Sequence, residues 1–253
     1  MVELKVRDGV AGIFLNRPEK SNALSTPLLE KLLAALKEVA GSPGLRVVVL
    51  AGHGKSFCGG ADVAEMAQLK ASSAKKFITR IHQCCDAIRH LPVPVVARLH
   101  GAVIGAGLEL AASCDLRIAA EGTRFAMPEV RLGIPSVVEA ALLPRLVGAG
   151  RAAWLVLTGE PIDAKTALAW GLVEELAPLA ALDERVGVLL EHLVAAEPDA
   201  LAAQKELLRV WQEAPLGEAV AAGIGAFTRA YASDAPNKRL RATISRGRGG
   251  KPD

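Results

Sequence analysis

Apolar and polar residues alternate along residues 2–7 and again along residues 10–15, with Asp8-Gly9 between the two runs. Two alternating runs joined by Asp-Gly predict a β-hairpin with a tight two-residue turn. The period then becomes helical: Ser25 stands at the start of a pattern through Leu28, Leu29, Leu32, Leu33 and Leu36, where a serine is suited to cap a helix. Residues 46–51, Arg-Val-Val-Val-Leu-Ala, are apolar without alternation, as in a strand covered on both faces. A long helical pattern through residues 73–91 precedes a second such strand over residues 95–100, and shorter strand-like pieces lie at 116–119 and about 172–175. From about residue 180 the pattern is helical, over 180–196, 199–213 and 216–232, with breaks at Pro198 and Pro215. Strands alternating with helices predict an α/β fold of βαβ units and stacked parallel sheets. The expected division is a core over residues 1–195 and a helical region over residues 196–253. No internal repeat or long linker interrupts either.

Composition narrows the function classes. Half of the 253 residues are apolar and 23% are charged, which describes a globular protein with a sizeable core; aromatics are only 4%, so Ala, Leu and Val build it. A net charge of +3 is too small to point to nucleic acid. The basic, Gly-rich residues 245–253 are expected to be a flexible solvated tail, with RNA contact as the alternative. The four cysteines form no Cys-x-x-Cys pair and fit reduced, buried thiols, while the five histidines form no ligand pattern with them, so no metal is expected. The polar N-terminal strand is no apolar leader, and no apolar run is long enough to cross a bilayer. A cytoplasmic protein without membrane contact is the expectation. Trp154, Trp170 and Trp211 are expected to be packing residues.

Three segments carry candidate chemistry. The first is Leu15-Asn-Arg-Pro-Glu-Lys-Ser-Asn-Ala-Leu24, between a strand and a helix. The second is Gly54-Lys-Ser-Phe-Cys-Gly-Gly-Ala-Asp62, directly after a buried strand. Its Gly-Lys-Ser looks like the end of a phosphate-binding loop, but Val49 stands where that motif needs glycine. The third runs from His100-Gly-Ala-Val-Ile-Gly-Ala-Gly-Leu-Glu-Leu110 to Asp115 and then Phe125-Ala-Met-Pro-Glu-Val-Arg-Leu-Gly133. Gly105 to Gly107 open an apolar-periodic helix, so the N–H of Ala106 lies at a helix N-terminus, where the dipole favours an anion. Glu109, three residues on, shares that face, and the same dipole favours its ionised form. Glu129 stands among Phe125, Met127, Val130 and Leu132, a setting that keeps a proton on a carboxyl. Each glutamate on its own has a plain structural alternative, as a surface or loop carboxylate.

Together these motifs resemble the crotonase (enoyl-CoA hydratase/isomerase) superfamily, in its order and approximate spacing, over nearly the whole chain. The resemblance implies a ββα spiral with two roughly perpendicular sheets and a helical C-terminal region used for trimerisation, as a homotrimer or a dimer of trimers. It implies an acyl-CoA thioester substrate, with coenzyme A part of that substrate and no separate cofactor. Its chemistry forms an enolate whose oxygen is held by two backbone N–H groups, here those of Ala61 and Ala106. Glu109 and Glu129 match the acid–base pair of the hydratases. Ala23, Asp62, Val63, Gly105 and Gly133 match positions that bind the substrate, and Lys20 and Lys55 are candidates for its phosphates or ordinary exposed lysines. Double-bond isomerisation, hydration of a cyclic dienoyl-CoA, and a non-catalytic or RNA-associated relative stay open beside hydration of a 2-enoyl-CoA.

The chain departs from the family after Gly133. A Pro-Gly-x-Gly-Gly stretch is replaced by Pro135-Ser-Val-Val-Glu139, in a loop one residue shorter, so Ser136, Val138 and Glu139 add side chains near the site. Ser136 and Glu139 have the spacing of a capping box; a third acid or an acyl contact is the rival reading of Glu139. The segment 233–242 also lacks the family's Glu-Gly and the phenylalanine after it.

Overall fold

A computed structural model describes residues 1–248 in two compact units, the first Met1–Ala196 and the second beginning at Glu197. The first is built on nine strands: β1 (Val2–Arg7), β2 (Val10–Leu15), β3 (Val47–Gly52), β4 (Val95–Leu99), β5 (Ala102–Ile104), β6 (Leu116–Ala120), β7 (Arg124–Ala126), β8 (Ile162–Asp163) and β9 (Glu175–Ala177). Its helices are α1 (Thr26–Ala40), α2 (Val63–Met66), α3 (Ala71–Arg89), α4 (Ala106–Ala112), α5 (Leu143–Val147), α6 (Ala149–Thr158), α7 (Ala164–Trp170) and α8 (Leu182–Ala195).

Six strands form one sheet in the order β1-β2-β3-β4-β6-β9, antiparallel only at the β1–β2 hairpin. Asp8 and Gly9 both have positive φ (51° and 79°), the backbone that a two-residue turn between right-twisted strands requires. Along β3, Val48 and Leu50 enter the large core that includes the inner faces of α1 and α3, while Val47 and Val49 enter a second core with Leu182 and Val186 of α8. Both faces of this strand are therefore buried, which is why its sequence shows no alternation. The second sheet, β5-β7-β8, consists of strands of two or three residues.

Two expectations shift by a few residues. Leu172 and Val173 are buried but lie before the strand, because pairing with β6 begins only at Glu175. Ser25 takes the N-cap backbone of α1 without a side-chain bond; Glu65 instead accepts from the backbone N–H of Thr26 at 2.9 Å and from its hydroxyl.

In the second unit α9 (Pro198–Glu213), α10 (Leu216–Ala230) and α11 (Ala235–Arg248) follow one another. Helix α11 overturns the flexible-tail expectation as far as Arg248; residues 249–253 lie outside the described residues. No helix among the described residues is long and apolar enough to cross a membrane.

Candidate active site

Strands β2, β3 and β4 are parallel neighbours, so the segments leaving their carboxyl ends emerge along one edge of the sheet. A single buried amide ties the first two together. Asn22, at φ 56°, donates through Nδ2 to the carbonyls of His53 (2.9 Å), Ser56 (2.8 Å) and Phe57 (3.1 Å), and its Oδ1 accepts from the Arg17 N–H at 2.8 Å. Backbone bonds fix the second segment to the third: Phe57 N–H donates to His100, Cys58 N–H to Ala102, and Ile104 N–H to Cys58, at 2.7–3.1 Å.

This stitching leaves two backbone donors side by side. Leu24 N–H donates to Gly60 and Asp62 N–H donates to Leu24, so the N–H of Ala61, between them, faces the other way and has no partner among the described residues. Gly60 has φ 99°, and a Cβ there would come within 2.9 Å of the Ile104 carbonyl and 3.9 Å of the Ala106 nitrogen. Only glycine allows that approach. Ala106 is the first residue of α4, and its N–H is one of those a helix N-terminus leaves unpaired. Gly105 precedes it at φ 52°, where a Cβ would run into Glu129 Oε1.

Ala61, Ala106, Glu109 and Glu129 line one cavity of about 380 Å³. Val63 and Gly105 line it as well. Its far wall is apolar and comes largely from α3, through Phe77, Ile78 and Ile81. That face was visible as helical periodicity but has the look of ordinary core. Lys75, on the same helix, is a lining residue the sequence did not single out; Lys20 and Lys55 do not line the cavity.

The two carboxylates differ in setting, and not as expected. Glu109 is 4% exposed, and its Oε1 accepts the Ala140 N–H at 3.2 Å. Burial first, then the charge of Glu129, pushes its pKa up to about 8; the Ala140 bond opposes this and Glu139 adds to it. Burial outweighs the dipole of a seven-residue helix, so the ionised Glu109 read from sequence is overturned. Glu129 opens a short 3₁₀ turn, Glu129–Leu132, is half-buried, and accepts the Ser136 hydroxyl at 2.8 Å through Oε2.

Ser136 is therefore not the cap of a capping box. The turn Val138–Leu142 has Val137 at its N-cap, and Glu139 turns to α3, where its Oε1 lies 2.8 Å from His82 Nδ1. Val138 holds φ 42°, strained backbone for a β-branched residue. Three other candidates fall outside the cavity lining: Ala23, Asp62 and Gly133. The Asp62 carboxylate caps α2 by accepting from Ala64 N–H (3.0 Å) and Glu65 N–H (3.2 Å) and pairs with Arg17 at 2.5 Å. The Arg17 bond holds it below the ordinary carboxylate range, and the same guanidinium donates to the Ala23 carbonyl at 3.1 Å. These groups brace the loop carrying Ala61. Gly133 ends the 129–132 turn in left-handed backbone, φ 76°. No cluster of three metal-ligating side chains occurs among the described residues.

Known proteins resemble this chain in sequence and in fold. The family model described as "Enoyl-CoA hydratase/isomerase" matches residues 5–243. The short-chain-enoyl-CoA hydratase of Clostridium acetobutylicum is 31% identical over 247 residues, which are 97% of this chain and 95% of that protein. The crotonyl-CoA hydratase of Syntrophomonas wolfei is 38% identical over 183 residues, 69% of this chain and 70% of that one. The crystal structure of an enoyl-CoA hydratase from Mycobacterium smegmatis superposes with a TM-score of 0.94 at 32% identity, covering 97% of this chain and 96% of the other.

Proposed function

The chain belongs to the enoyl-CoA hydratase/isomerase family, and on that premise we propose that it is a hydratase, adding water across the 2,3 double bond of an unsaturated acyl-CoA. The observation that carries this reading is the pairing of Glu109 with Glu129 in one apolar cavity, beside two unpartnered backbone N–H groups. Moving a double bond needs one carboxylate to shuttle a proton. Adding water needs one group to take a proton from the water and another to deliver one to the adjacent carbon.

Water attacks C3 of the enoyl group, and the electron pair of the double bond moves onto the thioester oxygen. The N–H groups of Ala61 and Ala106 hold that oxygen as it gains charge; each such donor is typically worth about 2.7–4 kcal/mol. Glu109 keeps its proton to about pH 8, held up by burial first and then by the neighbouring Glu129. One carboxyl then gives while the other takes. The apolar wall of α3 suits a hydrocarbon acyl group, in keeping with the short-chain and crotonyl substrates in the relatives' names. Coenzyme A enters as part of the substrate, and no separate cofactor is assigned.

The protein's own partner is a further copy of itself, as a homotrimer or dimer of trimers. Along α10, Leu216, Val220, Ile224 and Phe227 are 53–81% exposed on one stripe, an apolar surface that calls for a cover. Incubation with a panel of enoyl-CoA thioesters and mass spectrometry tests the reaction. A gain of one water supports hydration, whereas an unchanged mass with a displaced double bond makes the enzyme an isomerase.

A further inference from the structure

Behind Glu109, outside the cavity lining, lies a third carboxylate that the reaction above does not use. Glu139 is 5% exposed. Its Oε1 is paired with His82 Nδ1 at 2.8 Å, and its Oε2 is buried with no hydrogen-bond partner among the described residues. A buried carboxylate oxygen without a partner destabilises the native state, so the residue calls for an explanation beyond packing. It stands on the turn that touches the reacting site: Ala140, the next residue, supplies the N–H that grips Glu109 Oε1.

We propose that Glu139 and His82 form a positioning pair for Glu109, holding the 138–142 turn against it and setting, through the Glu139 carboxylate and the His82 hydrogen bond upon it, how readily Glu109 exchanges its proton. The geometry gives the pair two handles. One is mechanical: the bond to α3 fixes Glu139 and with it the Ala140 N–H. The other is electrostatic: the Glu139 carboxylate makes a charged Glu109 less favourable, and the hydrogen bond from His82 offsets that field. His82 is the half-exposed member, at 49%, so it is where solvent reaches a buried group.

The titratable neighbours are few. Glu129, in the same cavity, acts directly on Glu109; helix α3 contributes His82 and the buried Cys85, α4 contributes Glu109 itself, and α5, which also packs on this turn, contributes the exposed Arg145. Asp86, one turn beyond His82, is paired with His90 at 3.1 Å.

The inference rests on Glu109 being a proton-exchanging group of the hydratase, so its test has a readout independent of turnover. Carboxyl carbon NMR of ¹³C-glutamate-labelled protein, with Glu109 assigned by the Glu109→Gln variant, follows its titration in the wild type, Glu139→Gln and His82→Ala. Removing the Glu139 charge should lower the Glu109 midpoint by about half a pH unit or more, and removing His82 should raise it, as expected for charges close to a buried carboxyl. The limb of the kcat profile that follows Glu109 should move in the same opposite senses, with KM within about two-fold. His82→Gln, which keeps a donor but does not titrate, should restore the midpoint most of the way toward the wild type. It also serves if Glu139→Gln fails to fold, because position 82 is at the surface. Midpoints unchanged in both variants, or displaced in the same direction, would overturn the proposal. Opposite displacements without turnover of any enoyl-CoA would leave the pair standing and remove the hydratase reading instead.

Discussion

The hydroxyl of Ser136 donates to Glu129 Oε2 at 2.8 Å, joining two residues seven apart across the loop that departs from the family pattern. Glu129 Oε1 lies on the other side, over Gly105. One oxygen is thus directed by a side chain that a glycine could not supply. A hydrogen bond to a charged group is typically worth about 1.5–3 kcal/mol. Ser136→Ala should lower kcat by roughly ten-fold with KM little changed, since the bond orients the carboxylate rather than the thioester. Ser136→Thr should retain most activity. Equal kinetics for Ser136→Ala and the wild type would show that the hydroxyl is idle.

Glu109→Gln and Glu129→Gln should each cut turnover by at least about 10²-fold, the lower end of what a general acid or base supplies. Circular dichroism should show both folded. Near-normal hydration by either variant would remove the two-carboxylate reading, and loss in only one of them would favour isomerisation.

The elevated Glu109 pKa carries a stability consequence with a definite sign. Its ordinary value is 4.5 and its native value about 8, so the native state binds the proton more tightly than the unfolded chain. The stabilisation is complete below about pH 4.5 and is lost as pH rises through 8. Glu109→Gln cannot ionise and should escape that loss. Thermal melts should find the variant more stable than the wild type at pH 8.5, by about 5 °C or more, with the gap closing toward pH 5. A gap independent of pH would mean that Glu109 is not the group responsible.

Asn22→Ala deletes the four bonds that hold the Arg17, His53, Ser56 and Phe57 backbones together. Unmet buried carbonyls cost roughly 1–3 kcal/mol each. The melting temperature should drop by several degrees, and kcat should fall along with it because the Ala61 N–H loses its fixed aim. A stable variant of normal activity would show that the loop keeps its shape by other means.

Legibility from sequence followed the range of the interactions. The hairpin was readable because Asp8-Gly9 alone dictates its backbone, and β3 because burial on both faces removes alternation. The loop glycines and the two glutamates were readable because the motifs carrying them are local. Strands β5, β7 and β8 are too short to show a period. Position 136 displays the limit. Ser-x-x-Glu has the spacing of a cap, yet Ser136 bonds back to Glu129 and Glu139 bonds to His82, 57 residues earlier in the chain. No local pattern reports a partner at that distance. The protonation of Glu109 was misread for a related reason: a dipole can be inferred from one helix, whereas burial is contributed by everything packed around it.

The crowding at Gly60 and Gly105 divides the cavity into a closed half and an open one. On the backbone-donor side a carbon added at Gly60 or Gly105 strikes Ile104 or Glu129, so a substitution there disturbs the donors or the carboxylate themselves. On the side of Phe77, Ile78 and Ile81, the lining side chains stand on a helix that supplies neither of the two backbone donors nor Glu109 or Glu129. Reaction and selectivity are thereby separately inheritable. A combinatorial library confined to those three positions should yield enzymes of one chemistry and many acyl appetites.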